Sequence, residues 1–287
     1  MRIVNQFWII VRQAAISTYD NGLADIAKGA AFSLLLSFFP VLTTLATVLV
    51  QVDAERVSQA VAKFLFEVVP PGTEDLVQYA FTLRGARPNW LIAGAAILSI
   101  WSASDVIVSL MSGFQAAYRS PNTRSFWRQR WVAVSLVFST IVPALGASLL
   151  LVFGEKVESM VLFWFGFLAP DSMLTGMVAF LSRVTTNIVA IFTLVSVTSW
   201  LYRFAPSLPR RWKRVWPGAM VATALWSIAT LGFGWYVRNI ATYNIMYGSI
   251  GAAIALLIWM YLLSLIALFG CAYNAEAEKL RKEGVIE

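Results

Sequence analysis

The chain has 287 residues, 59% apolar and 13% charged, with a mean hydropathy of +0.71 and a formal net charge of +7. Soluble domains average about 25% charged residues, so a soluble fold is excluded and a polytopic membrane protein is implied. It contains no His, which removes the commonest general base and the commonest metal ligand together, and its single Cys, Cys271, excludes an intramolecular disulfide.

From the start, Ile3, Phe7, Ile10, Val11 and Ala14 recur at helical spacing with Arg2, Asn5, Gln6, Arg12 and Gln13 between them, which predicts an amphipathic interfacial helix. The apolar run is too short for a signal peptide, so no cleavage is expected. Residues 29–50 form the first expected span, where Pro40 bends the helix or is absorbed by neighbours and is a candidate hinge. Residues 51–89 are the longest polar excursion. Two apolar stripes there, Val57 to Val68 and Leu76 to Phe81, are separated by Pro70-Pro71-Gly72, a pattern that predicts an extracytoplasmic helical hairpin, outside the membrane or dipping into it.

The second span, 90–114, carries Asp105 about 22 Å from its outer end at 1.5 Å per residue. An unpaired carboxylate at such a depth costs at least ~2.5 kcal/mol. A loop with Arg119, Arg124, Arg128 and Arg130 leads to a third span, 131–153, and a short loop then leads to a fourth, 174–202. The fourth is the most polar, with Arg183, Thr185, Thr186 and Asn187. Arg203, Arg210, Arg211, Lys213 and Arg214 follow, beside Trp212 and Trp216 at headgroup level.

The fifth span, 217–237, offers Gly218 and Ala222 as a small-xxx-small pair. The sixth, 248–271, has small residues at one end and Trp259 and Tyr261 deeper than an aromatic belt, where they are expected to pack on other helices. The fold class is therefore all-α: one integral membrane domain over 1–287 with six spans. Most of the 22 Lys and Arg fall in the two tails and the second and fourth loops, which places both termini in the cytoplasm.

Intramembrane ionisable groups are functional candidates by default. Asp105 and Arg183, with Ser104, Thr186 and Asn187, are the candidate substrate-binding set, lining a polar cavity between spans two and four; structural pairing or snorkelling is the competing reading. Arg124, Arg128, Arg130, Arg210, Arg211, Lys213 and Arg214 serve as topology determinants or hold anionic lipid headgroups or phosphates. Membrane lipids are thus the expected partners, with envelope proteins as further candidates. No nucleic-acid module accompanies the basic residues, no phosphate-binding loop is present, and the 15 acidic residues are scattered. No metal, cofactor or catalytic residue is expected.

Several stretches resemble one family. These are AAFSLLLSFFP at 30–40, WSAS at 101–104 with Tyr118, and Trp200, Tyr202-Arg203 and Pro206. To them is added the run from Tyr247-Gly248-Ser249 through Trp259 and Gly270 to Asn274-Ala275-Glu276. In this order they resemble the BrkB/YihY family of bacterial inner-membrane proteins, while Asp105 stands outside the matched pattern. The resemblance implies an envelope transporter or lipid-handling protein, associated in some members with virulence or serum resistance. It also brings an old label, ribonuclease BN, which a chain without His or paired carboxylates does not support. The leading expectation is translocation or presentation of an anionic lipid or other amphiphile. The alternatives are a non-transporting scaffold for envelope partners and a proton-coupled small-solute exporter with Asp105 as carrier.

Overall fold

The computed structural model of the chain describes residues 2–51, 89–143, 146, 176–207, 209–239 and 249–285. Among them the chain is helical, without strands. The helices are α1 (Arg2–Asp20), α2 (Leu23–Gln51), α3 (Asn89–Ala117), α4 (residues 126–143), α5 (Gly176–Phe204), α6 (Trp212–Asn239) and α7 (Ser249–Lys282). Helices are the expected solution for such apolar segments, because a bilayer offers backbone amides no partner and each helix satisfies its own.

Among the described residues five helices are long and apolar enough to cross a membrane: Leu23–Leu42, Ala93–Ala117, Val184–Phe204, Trp212–Tyr236 and Ala253–Lys282. They match the expected first, second, fourth, fifth and sixth spans. The expected third span, 131–153, is described only in part, as α4, and the hairpin expected over 51–89 lies outside the described residues. Three boundaries move, with α6 starting at Trp212 ahead of the expected 217. α2 starts at Leu23, ahead of the expected 29, and α7 runs on to Lys282, carrying its apolar face past the expected end at 271. Pro40 lies inside an unbroken α2.

α7 is the hub, packing against α1, α2, α3 and α6. Its small residues make this possible. Gly218 of α6 and Gly270 of α7 cross so closely that a Cβ on Gly218 would strike the Gly270 carbonyl, while a Cβ on Gly270 would lie 2.5 Å from Tyr202 Oη and 2.8 Å from Ala222 Cβ. Asn274 stitches the same crossing: its Oδ1 accepts from the Gly218 amide at 2.7 Å and its Nδ2 donates to the Val215 carbonyl at 3.0 Å. Pro217, just before Gly218, brings no amide of its own to the helical ladder. Farther along, Trp259 stacks on Phe233 with centroids 5.2 Å apart, the inter-helix packing expected of it.

The main core joins all seven helices through Ala14, Leu23, Met111, Phe114, Leu136, Tyr202, Val215, Leu268 and Cys271. α1 belongs to this core. Its expected stripe turns Ile10 and Ala14 inward, while Phe7, at a centroid distance of 6.0 Å from Tyr273 of α7, stays 42% exposed, so the stripe packs partly on protein.

Candidate functional site

Two polar assemblies are built on this frame. The first joins α3 to α4. Arg130, on the first turns of α4, places Nη1 2.7 Å from Asp105 Oδ1 and donates to Ser104 Oγ at 2.7 Å, with its guanidinium 4.2 Å from the Trp101 ring centroid. Trp101, Ser104 and Asp105 reach it together because positions three and four apart share a helix face. Arg130 is nearly enclosed, at 11% side-chain exposure, whereas Asp105 keeps 42%, and Arg130 Nε is buried without a partner. The result is an Arg clamped on three sides and a carboxylate that remains reachable.

Asp105 therefore finds its counter-ion in Arg130, a residue that the sequence suggested for headgroup binding. Arg183 lies in α5, which packs on α6. Asn187 is exposed and Thr186 half-buried on that helix. Of the expected set, Ser104 and Asp105 come together, joined by Arg130.

The second assembly gathers the basic loops at the end of the bundle where α3, α5 and α7 stop. Arg124 donates to the carbonyls of Ala205 at 2.8 Å, Phe204 at 3.1 Å and Pro206 at 2.7 Å. Phe204 ends α5 and Ala205 and Pro206 follow it, and a cation at this helix end also complements the helix dipole. Burial and neighbouring Arg128 lower the pKa of Arg124, from a value so high that the side chain stays charged. Arg214, Lys282 and Arg210 converge on Glu278 Oε1 at 2.8, 3.2 and 3.6 Å. Arg119 and Lys279 lie 3.8 Å from the oxygens of Glu276. Of the suggested headgroup residues, Arg124, Arg130, Arg210 and Arg214 are thus engaged within the protein. Arg128, Arg211 and Lys213 are exposed, and among the described residues they have no ion pair.

A cavity of about 330 Å³ opens within this second assembly, lined by Arg119, Arg210, Glu276, Glu278, Lys279 and Lys282 among others. Tyr118 is in its wall, under the Arg210 guanidinium at 4.1 Å from the ring centroid. Its hydroxyl is buried without a partner, as is Glu278 Oε2, and burial raises the phenol pKa well above its ordinary value. Arg119 adopts φ +49° as the left-handed residue ending α3, with its amide bonded to Ala116 O and the Ser120 amide to Gln115 O, both at 3.0 Å. That Schellman closure favours Gly. An Arg there costs about 1 kcal/mol or more.

Glu276, Glu278 and Arg119 were not singled out as site residues from the sequence. The available signal was the placement of two acids in the last turns of a long apolar helix, directly after the Asn274-Ala275 pair.

Comparison with known proteins agrees with this architecture. The family described as Virulence factor BrkB matches residues 17–285. A Bacillus subtilis (strain 168) protein named ribonuclease-like, YfkH, is 30% identical over 266 residues, covering 92% of this chain and 93% of that protein. A UPF0761 membrane protein of Tolumonas auensis is 24% identical, covering 90% of this chain and 81% of the relative. One of Ralstonia nicotianae is 25% identical over 98% of this chain, which spans 62% of the relative's length. No solved structure gave a match. With a family match that runs nearly end to end and a relative similar over most of both lengths, this multi-pass helical membrane protein belongs to the Virulence factor BrkB family.

Proposed function

We infer that this protein handles an anionic lipid or a comparable amphiphile in the bacterial inner membrane, with both termini and the basic end of the bundle in the cytoplasm, and that it works as a transporter and not as an enzyme. The observation that carries this reading is the Asp105–Arg130 pair. Arg130 is held by Ser104 and Trp101, so its charge is positioned even when Asp105 moves, and Asp105 is exposed enough to leave. An anionic headgroup can take the carboxylate's place on the guanidinium, which matches phosphate oxygens in a bidentate fork. Exchange of one anion for another keeps the buried Arg paired throughout, avoiding the several kcal/mol that an uncompensated charge costs.

The absence of His from the whole chain supports the non-enzymatic reading, and the ribonuclease-like name belongs to the YfkH relative. The reading is tested by reconstituting the full chain in liposomes and following fluorescent phosphatidylglycerol across the bilayer. Movement faster than in protein-free liposomes is expected, and a rate equal to theirs would end this reading.

A further inference from the structure

The cavity at the basic end has a charge balance that its ion pairs do not consume. Arg214, which is not among its lining residues, already meets Glu278 at 2.8 Å. Arg210 and Lys282 share that same carboxylate, so Arg119, Arg210, Lys279, Lys282 and Arg214 together face Glu276, Glu278 and the exposed Glu283, an excess of positive charge. The pairs to Glu276 are long, at 3.8 Å each, and the cations making them are about half exposed while Glu276 is 6% exposed. Arg119 and Lys279 therefore keep most of their donors free on the open side. Buried polar groups are ordinarily hydrogen-bonded, yet the wall holds two donors, the Tyr118 hydroxyl and Arg210 Nε, without partners.

Arg119 adds an independent sign. It occupies a left-handed helix end, φ +49°, where Gly is the unstrained choice. Strained backbone positions of this kind gather at ligand clamps. The strain holds a guanidinium at the mouth of the cavity, oriented by a 3.2 Å hydrogen bond from its Nε to Asn21 Oδ1. The volume, about 330 Å³, is at the small end of the range for ligand pockets.

We propose that this cavity is a phosphomonoester site, in which Arg119, Lys279 and Lys282 take a dianionic phosphate over a floor formed by Arg210. A dianion matches the charge excess better than a singly charged group, and the guanidinium offers the planar fork that phosphate oxygens accept. The site is separate from the Asp105–Arg130 pair. It relies on the proposed function only for facing the cytoplasm, where the phosphate can belong to a lipid headgroup or to a soluble compound.

The test is titration of the full chain in maltoside micelles, which contain no phosphate, with inorganic pyrophosphate and with dihexanoyl phosphatidic acid, followed calorimetrically. Saturable binding of either probe is expected, weakened at least tenfold in Lys279→Gln/Lys282→Gln and in Arg119→Gly. Arg119→Gly relieves backbone strain, so a loss of binding there with an undiminished melting temperature excludes misfolding as the cause. Binding of both probes would assign the site to phosphate itself, and binding of the lipid alone would assign it to a headgroup. No saturable binding, or binding that these variants leave intact, would overturn the proposal. Failure of lipid movement in liposomes with phosphate binding retained would count against the transport reading and not against this site.

Discussion

Arg130 and Asp105 meet at 2.7 Å on the wall between α3 and α4, with the arginine enclosed and the carboxylate 42% exposed. The asymmetry makes the two residues unequal under mutation. Arg130→Ala removes the ion pair, the stacking on Trp101 and the bond to Ser104, for a loss of about 2 kcal/mol given the partial exposure of the pair. Asp105→Asn keeps the shape and a hydrogen-bond acceptor, and should cost less than half of that. Thermal unfolding in detergent ranks the two variants, and an equal or reversed order would contradict the clamp.

Arg124 closes the end of α5. Removing it in Arg124→Ala leaves the carbonyls of Phe204, Ala205 and Pro206 without that donor, and hydrogen bonds to charged groups contribute about 1.5–3 kcal/mol. A loss of about 2 kcal/mol is expected, with Arg124→Lys recovering only part of it because an ammonium lacks the fork that reaches several carbonyls at once. Full recovery by Lys would show that charge alone matters there.

At the α6–α7 crossing, Gly270→Ala must displace the Tyr202 hydroxyl or separate the helices. Overpacking of this kind costs about 1–3 kcal/mol, and more where backbone must move. Tyr202 also loses its 2.6 Å hydrogen bond to the Ala267 carbonyl if it is pushed aside. Asn274→Ala strands the Gly218 amide and should cost about 1–3 kcal/mol for the same crossing. The double variant should lose less than the sum, since both changes loosen one contact. Strict additivity in a thermal-unfolding cycle would contradict the shared crossing.

Tyr118 carries a sign-defined pH dependence. Burial raises its folded-state pKa above the ordinary value of 10.0, so between the two values the folded chain binds more protons than the unfolded one. Stability should then be fully present below about pH 10 and fall as pH rises above it. Tyr118→Phe removes a hydroxyl with no partner, so it should be neutral or stabilising at pH 7 and should flatten the alkaline decline. Melting temperatures of both proteins from pH 7 to 11 give the comparison, and parallel curves would show that other groups cause the decline.

Much of the architecture was legible because long apolar runs admit one solution in a bilayer. The expected spans 90–114 and 217–237 lie within α3 and α6, and the described part of 174–202 lies within α5; Gly218 with Ala222 was readable as a close-approach face, although its counterpart Gly270 was read only as part of the family resemblance. Side-chain partnerships were less legible. Hydropathy placed Asp105 and Arg183 in spans and made them the natural pair to consider, but it assigned Arg130 to a loop. The chain instead starts α4 at residue 126, which carries Arg130 to the level of Asp105. In the same way, counting basic residues per loop identified a charged end but could not show that Arg124 is held by carbonyls and that Arg210 and Arg214 are held by Glu278. Those contacts depend on how far α3, α5 and α7 extend past their apolar runs.

In the proposed mechanism Arg130 hands its counter-charge between Asp105 and an anionic headgroup. That exchange is tested most directly by the movement of fluorescent phosphatidylglycerol and phosphatidylcholine across liposomes containing the wild-type chain, Arg130→Gln or Asp105→Asn, at matched protein incorporation. The wild type should favour the anionic lipid, and Arg130→Gln should lose that preference with at least a tenfold drop in rate. Asp105→Asn should bind the anionic lipid more tightly but release it more slowly. If all three proteins move both lipids at the same rate, the exchange at Arg130 is not how this protein works.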